Sequence, residues 1–463
     1  MTVTEASAAV ADEQLAGALR GRLIGPQDGD YDEARKVYNG MIDRRPAMIV
    51  RCEDVADVMA VVDFARRRQM LISIRGGGHN AGGLGVADDA VVCDLSPMHG
   101  VHVDLATRRV RVEGGATLGQ VDHATHAFGL AVPAGIFSTT GVSGLTLGGG
   151  VGYLARRHGL AIDRLRAADV ALADGRLVRA SEDENADLFW ALRGAGSNFG
   201  VVTSLEFEAA PVGEVTAGPT LYPMEATAEV MRWFDDLMRD GPEELYGFFA
   251  FLTVPPGPPF PPHLHMRKMC GIVWCHTGTA EEAEADLSEV RRFGPPALDG
   301  VGRIPFPAMQ SAFDPLYPPG LQWYWKADHM GDLSDEAIAA NAEHGARMPT
   351  MLSSMHLYPI DGAVHRMAKD ATAWPNRGSR YAQVIVGVDP DPANADAIRT
   401  WAREYWEAVH PHASGGAYVN FLMPEDGAER IREVYGDNYD RLVEVKRRYD
   451  PDNLFRVNHN IVP

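Results

Sequence analysis

Arg75-Gly76-Gly77-Gly78-His79-Asn80 follows directly on Leu71-Ile72-Ser73-Ile74, and this junction sets the frame for the whole chain. The β-rich run predicts a strand. The glycines after it can adopt φ > 0 and admit a bulky ligand right up to the main chain. Arg75 adds a planar cationic fork suited to a phosphate or an electron-rich oxygen. A histidine closing such a loop is held against whatever the glycines cradle. Alone, the pattern also describes an ordinary turn with a solvated histidine. A second stretch argues otherwise: residues 133–152 carry Pro133, Gly135, Ser138, Thr140, Gly141, Ser143, Gly144, Leu147, Gly148, Gly150 and Gly152. That stretch is too long for one turn and too apolar for a disordered linker. Its N–H groups can form concave anion nests, and its hydroxyls add donors. Neither stretch has the Gly-x-Gly-x-x-Gly fingerprint of a Rossmann unit, and no Lys-Ser or Lys-Thr follows a glycine cluster. A pyrophosphate-sized anion is therefore expected on some other fold.

The 463 residues can bury two sizeable cores, and two or three domains are expected. A formal charge of −20 speaks against a nucleic-acid groove or an anionic membrane surface as partner. No run of about eighteen apolar residues is present, so no membrane span is expected. Met1-Thr2-Val3-Thr4-Glu5-Ala6 lacks the basic head and apolar core of a secretory signal. Cys52, Cys93, Cys270 and Cys275 are too few for a disulfide framework in a chain of this size. Cys270 and Cys275 lie five apart on a predicted strand, hence on opposite faces, and read as buried thiols. A cytoplasmic protein is the expectation. His123 and His126 lack a third ligand nearby, so no metal is expected.

Residues 11–24 read as a short helix and residues 54–66 as an amphipathic one. From there to residue 211, short β-rich runs alternate with glycine-rich turns. Composition changes at Pro211, where a second region begins. In it, helices over 279–292 and 391–406 are predicted to pack on strands such as 381–388, all on one side of a sheet. The prolines of residues 255–262 make a stiff extended loop, either a lid or a surface connection. Trp323-Tyr324-Trp325-Lys326 reads as a strand. Tyr324 and Lys326 would share one face, where a phenol and an amine can orient a polar substrate; the alternative is a core tryptophan pair beside a solvated lysine. His356 and Tyr358 are similar candidates on another strand.

Further segments recur in a fixed order: Asp94-Leu95 with Met98, Gly114-Gly115-Ala116-Thr117-Leu118-Gly119, Gly159-Leu160, Asn198-Phe199-Gly200-Val201, Tyr418-Val419-Asn420, and the closing Asn458 and Asn460-Ile461. With the two glycine stretches, these resemble the berberine-bridge-enzyme-like branch of the vanillyl alcohol oxidase superfamily. The likeness is dense over residues 20–211 and clear over 416–463. It implies an α+β fold: a two-part PCMH-type FAD-binding domain (1–211), an α+β substrate domain with an antiparallel sheet (212–415), and a C-terminal segment returning to the FAD domain (416–463). It implies FAD as cofactor, small-molecule substrates and O2 as partners, and cofactor contacts from the residues of both glycine stretches with Asn198, Phe199, Gly200, Val201, Tyr418, Asn420 and Asn460.

His79 matches the family histidine that bonds the flavin 8α-methyl carbon. Phe137 stands where many members carry a cysteine for a second bond, so a single link through His79 is expected. Single-link members such as hydroxynicotine oxidase and the enterocin polyketide-oxidising flavoenzyme carry a similar segment. Tyr418 and Asn420 match the Tyr-x-Asn motif; two apart on an expected strand, both would face the flavin edge. A tyrosine of lowered pKa there can take a substrate hydroxyl proton while hydride leaves the same carbon. The family's other tyrosine is replaced by Val151, with Tyr153 two positions off. The function implied is an oxidase acting on a C–H beside an alcohol, enol or amine. Two alternatives stay open: a flavin-oxygenating enzyme acting on a polyketide-like or other carbon acid, and a non-catalytic flavoprotein carrier.

Overall fold

The structure, a computed structural model, describes residues 13–463. Its first sheet holds β1 (Arg22–Ile24), β2 (Met48–Arg51), β3 (Ile72–Arg75) and β4 (Val91–Asp94) in the order β1-β2-β4-β3, with β4 parallel to both neighbours. β2 and β3 run parallel on either side of β4, so the chain must cross over between them, and the helix Val55–Arg68 makes that crossing. Asp54 caps that helix by accepting from the N–H groups of Ala56 and Asp57. Val58, Val61, Val62 and Ala65 recur at helical spacing and pack on the sheet. The helix expected over 11–24 is corrected. Residues 13–18 are helical, whereas Arg22–Ile24 form β1 and bury Ile24 against Ile49. Pairing with β2 outweighs a weak local helical preference. Residues 11 and 12 lie outside the described residues.

The second sheet is antiparallel. It comprises β5 (Val101–Asp104), β6 (Arg109–Glu113), β7 (Leu165–Ala171), β8 (Leu177–Ser181) and β9 (Val201–Glu208), ordered β5-β6-β9-β7-β8. Between the first two sheets run both glycine stretches, which meet backbone to backbone. A Cβ on Gly77 would lie 2.5 Å from the Gly141 nitrogen, so no other residue fits this contact without a shift of main chain.

The third sheet contains β10 (Glu214–Pro223), β11 (Leu245–Thr253), β12 (Lys268–His276), β13 (Leu298–Asp299), β14 (Gly302–Pro305), β15 (Gln322–Met330), β16 (Ser354–Pro359) and β17 (Tyr381–Asp389). Its path is β13-β10-β12-β11-β16-β17-β15, with β14 also beside β10, and its pairs are antiparallel. Every residue of β17 is buried, so both faces are covered, and its centre, Val384-Ile385-Val386-Gly387-Val388, is apolar. Helices Thr227–Asp240, Ala280–Phe293, Asp335–Ala346 and Ala395–Val409 cover one face, burying Phe249, Tyr324, Leu357 and Ile385. The opposite face presents Phe248, Trp323, Tyr358 and Val386 toward the glycine stretches. The α+β class and the one-sided helix layer agree with expectation.

The C-terminal helices Gly427–Tyr435 and Tyr439–Tyr449 pack beside Leu188, Phe189 and Phe199. Lys446 locks this return. Its Nζ, fully buried, donates to Asp450 Oδ2 at 2.6 Å, Asn198 O at 2.7 Å and Phe455 O at 2.8 Å. Lys446→Met should destabilise the fold by about 3–5 kcal/mol, because it strands the buried Asp450 carboxylate. Thermal unfolding checks this.

Candidate active site

One deep cavity, about 1430 Å³ including its mouth, opens between the glycine stretches and the uncovered face of the third sheet. Its lining includes Arg75, Gly76, Gly77, Gly78, His79, Asn80, Gly135, Thr140, Gly141, Gly144, Leu147, Asn198, Tyr418 and Asn420, each expected from the sequence.

His79 is held on two sides. Tyr38 stacks on its ring with centroids 3.7 Å apart, and Nε2 lies 3.2 Å from Thr139 Oγ1. The imidazole is half-buried, with one side open to the cavity. Burial lowers its pKa to about 4, which keeps a lone pair free at neutral pH. Gly78, with φ of 64°, turns the chain so that His79 faces the cavity. Phe137 lines the same space, its ring 6.0 Å from that of His79.

Arg75 departs from its expected role. Its Nη2 donates to Asp94 Oδ2 at 2.8 Å in a buried pair, and Nη1 donates weakly to Lys36 O at 3.4 Å. The guanidinium thus braces β3 against β4, leaving its stem at the cavity. The anion cradle is main chain instead: among the described residues, none accepts from the N–H groups of residues 76–80.

Tyr418 and Asn420 do meet, though not on a strand. They sit at a 3-10 turn, Val419–Phe421, which still brings Asn420 Nδ2 within 2.8 Å of the Tyr418 oxygen. Gly150 N donates to the same oxygen at 2.9 Å, and Asn420 Nδ2 also donates to Leu145 O. The expected lowered pKa is corrected: burial raises it, against the opposing N–H donors of Gly150, Asn420 and Val151. With its oxygen occupied as an acceptor, Tyr418 retains its own proton for donation.

Tyr324 and Lys326 are not at the cavity. Alternation along β15 puts Trp323 and Trp325 there instead. Tyr324 donates to Glu425 at 2.6 Å and accepts from Arg403, while Lys326 pairs with Asp426. Helix Ala395–Val409 covers their face of the sheet, so both serve structure.

Several other expected contacts form a layer behind the wall. Ser143 donates to Gly114 O, and Ser138 bonds Asp314. Gly148 makes room for Asn420, Gly150 for Ala161, and Gly152 for the Ala134 carbonyl. Pro133, Phe199, Gly200 and Val201 are buried, with Gly200 abutting Val170. Asn460 is displaced from the wall because Ile461 is pulled into the core, its N–H bonded to Asn198 Oδ1. Asn458 and His459 take its place. Val151 lines the cavity, whereas Tyr153 packs edge-on against Tyr246. The proline-rich loop supplies none of the lining.

Sequence reasoning missed Tyr38, and missed that Trp323 and Trp325 face inward. Asn39 fixes Trp323. Its side chain bonds the Trp323 N–H and carbonyl and the Ala81 carbonyl, bridging 284 positions. No local signal encodes that contact.

The residues present fit FAD. Buried Asn458 Oδ1, His459 Nε2, Trp323 Nε1 and Trp325 Nε1 lack partners among the described residues and belong to cavity-lining side chains, and buried polar atoms call for partners. Comparison with known proteins agrees. Residues 46–181 match the FAD binding domain family, and residues 417–462 match the berberine and berberine-like family. The FAD-linked oxidoreductase YgaK of Bacillus subtilis (strain 168) is 30% identical, covering 96% of this chain and 97% of the relative. The (R)-6-hydroxynicotine oxidase of Paenarthrobacter nicotinovorans is 29% identical over 96% of this chain and 97% of its own. The crystal structure of 6-hydroxy-D-nicotine oxidase from Arthrobacter nicotinovorans superposes with a TM-score of 0.84 at 27% identity, covering 96% of this chain and 98% of that one. The chain therefore belongs to the berberine-bridge-enzyme-like FAD-linked oxidoreductases. Among the described residues, no group of acidic, histidine or cysteine side chains is placed to hold a metal, and no helix is long and apolar enough to cross a membrane.

Proposed function

We propose that this FAD-dependent enzyme is an oxidase that holds its cofactor covalently through His79 alone, takes hydride from a carbon bearing a hydroxyl, enol or amine, and passes the electrons to O2 as peroxide. The observation that carries the reading is His79 itself: a neutral imidazole clamped by Tyr38 and Thr139 at the wall of the cavity. Phe137, in the same wall, offers no thiol for a second link.

The N–H groups of residues 76–80, with Thr140, Gly141, Asn198 and Asn458, would hold the cofactor. When bound, FAD supplies a two-electron acceptor, and the protein supplies binding and orientation. Tyr418 directs its hydroxyl proton into the cavity, and Asn420 and Gly150 fix that hydroxyl in place. Trp323, Trp325, Tyr358 and Phe421 enclose the substrate side and exclude water from the reacting atoms. Four free, buried cysteines support a reducing compartment, the cytoplasm, as its location.

The test is anaerobic mixing of the purified yellow protein with alcohols, sugars, amines and phenolic ketones. Bleaching, followed by recovery of colour and stoichiometric peroxide on admitting O2, is the expected result. Turnover with an altered flavin spectrum and without stoichiometric peroxide would replace this reading with an oxygenating enzyme. No bleaching with any donor would replace it with a carrier.

A further inference from the structure

Tyr358 reaches the cavity from β16, and His356, two residues earlier on the same face, lies behind it. The Tyr358 hydroxyl and His356 Nδ1 are 2.5 Å apart, a short contact for this atom pair. Neighbouring side chains are apolar or aromatic. Phe248 lies 5.1 Å from each ring, Val384 and Ala382 oppose the pair on β17, and Phe421 lies 6.2 Å from Tyr358. The titratable groups facing Tyr358 are Tyr246 from β11, Tyr153 and Tyr418 from the cofactor side, and Tyr317 from the segment before β15. Arg75 is the one cationic side chain among the described cavity residues, and it is engaged with Asp94.

From this placement we infer that Tyr358 and His356 form a proton relay whose substrate is an uncharged, flat, hydroxylated compound, with Tyr358 as the catalytic residue and His356 positioning it and receiving its proton. The inference rests on the oxidase reading and names the acceptor and donor class that reading left open. Tyr418 is the poorer acceptor because its oxygen already takes two N–H groups. The Tyr358 oxygen keeps a lone pair, and its proton has a base in line. As the C–H hydrogen of the substrate departs with its electron pair to the oxidised cofactor, the hydroxyl proton moves to Tyr358 Oη. The phenolic proton moves in turn to His356 Nδ1, which becomes an imidazolium. The substrate becomes a carbonyl compound, and its charges balance without free phenolate. Burial lowers the His356 pKa to about 4, so the ring enters the reaction neutral, with Nδ1 against the Tyr358 hydroxyl. The unpartnered Nε1 groups of Trp323 and Trp325 offer donors to a polar substituent, and their rings stack on its flat body. An amine donor would not need this relay, because the nitrogen lone pair can drive hydride loss.

Two measurements on the FAD-loaded protein test the inference. One is binding of 4-nitrophenol and its methyl ether, 4-nitroanisole; the other is anaerobic bleaching by benzyl alcohol and by benzylamine. Tyr358→Phe and His356→Leu should weaken 4-nitrophenol about tenfold, the worth of one hydrogen bond, while 4-nitroanisole binding stays as in the native protein. Bleaching by benzyl alcohol should slow about 10²-fold at an unchanged half-saturating concentration. His356→Asn, which retains an acceptor near the Nδ1 position, should restore part of both. Equal weakening of phenol and ether, undiminished alcohol oxidation, failure of 4-nitrophenol to bind, or bleaching by the amine alone would each overturn the relay. Failure of the oxidase reading is separate, because it appears already in the native protein as no bleaching by any donor.

Discussion

Tyr418→Phe is expected to slow reduction of the bound flavin by about 10²-fold, as removal of a single positioned donor commonly does. The phenyl ring keeps the packing of Tyr418, which lies 4.8 Å from Phe421, so the wall survives. The hydroxyl does not, and two groups lose their partner together. The Gly150 N–H is buried and has no alternative acceptor among the described residues, whereas Asn420 Nδ2 keeps its bond to Leu145 O. Stranding the Gly150 N–H should cost about 1–3 kcal/mol of stability. Stopped-flow bleaching and thermal unfolding, measured on the same preparation, separate the two effects. A rate within twofold of the native protein would remove Tyr418 from the reaction.

His79→Ala carries the second large effect. The native protein, precipitated with acid, should yield a yellow pellet whose flavin fluorescence stays with the polypeptide on a denaturing gel. The variant should lose all of that signal while still binding FAD reversibly, because the N–H groups of residues 76–80 and the loop at Asn198 do not depend on the imidazole. Its intact mass should equal that of the bare polypeptide, whereas the native mass should exceed it by one FAD. Tyr38 and Thr139 clamp the ring, so a protein with no covalent flavin in the native form would refute the link itself rather than its positioning. Phe137→Ala, which removes a neighbouring ring but no nucleophile, should leave the covalent signal intact.

The two glycine stretches were legible because their chemistry is local. Only residues without side chains allow Gly77 and Gly141 to touch, and only a loop rich in exposed N–H groups makes an anion cradle. The Tyr-x-Asn pair was legible as a pair for a different reason from the one expected: a 3-10 turn, not a strand, joins the two side chains. Arg75 was identified at the cavity, but its fork was misassigned, since Asp94 lies on a strand whose neighbour in the sheet cannot be read from nearby residues.

What the chain alone determined was the cofactor half of the site: glycine-lined walls, a histidine at their edge, and the absence of a thiol at position 137. Those features depend on residue type and short spacing. Tertiary structure alone decided the substrate half. Trp323 and Tyr324 alternate on one strand, and nothing in their order says which is inward; helix Ala395–Val409 settles it by covering the Tyr324 side, and Asn39 fixes Trp323 across most of the chain's length. A buried strand has two apolar faces, and only the layers packed against it determine which one meets the ligand.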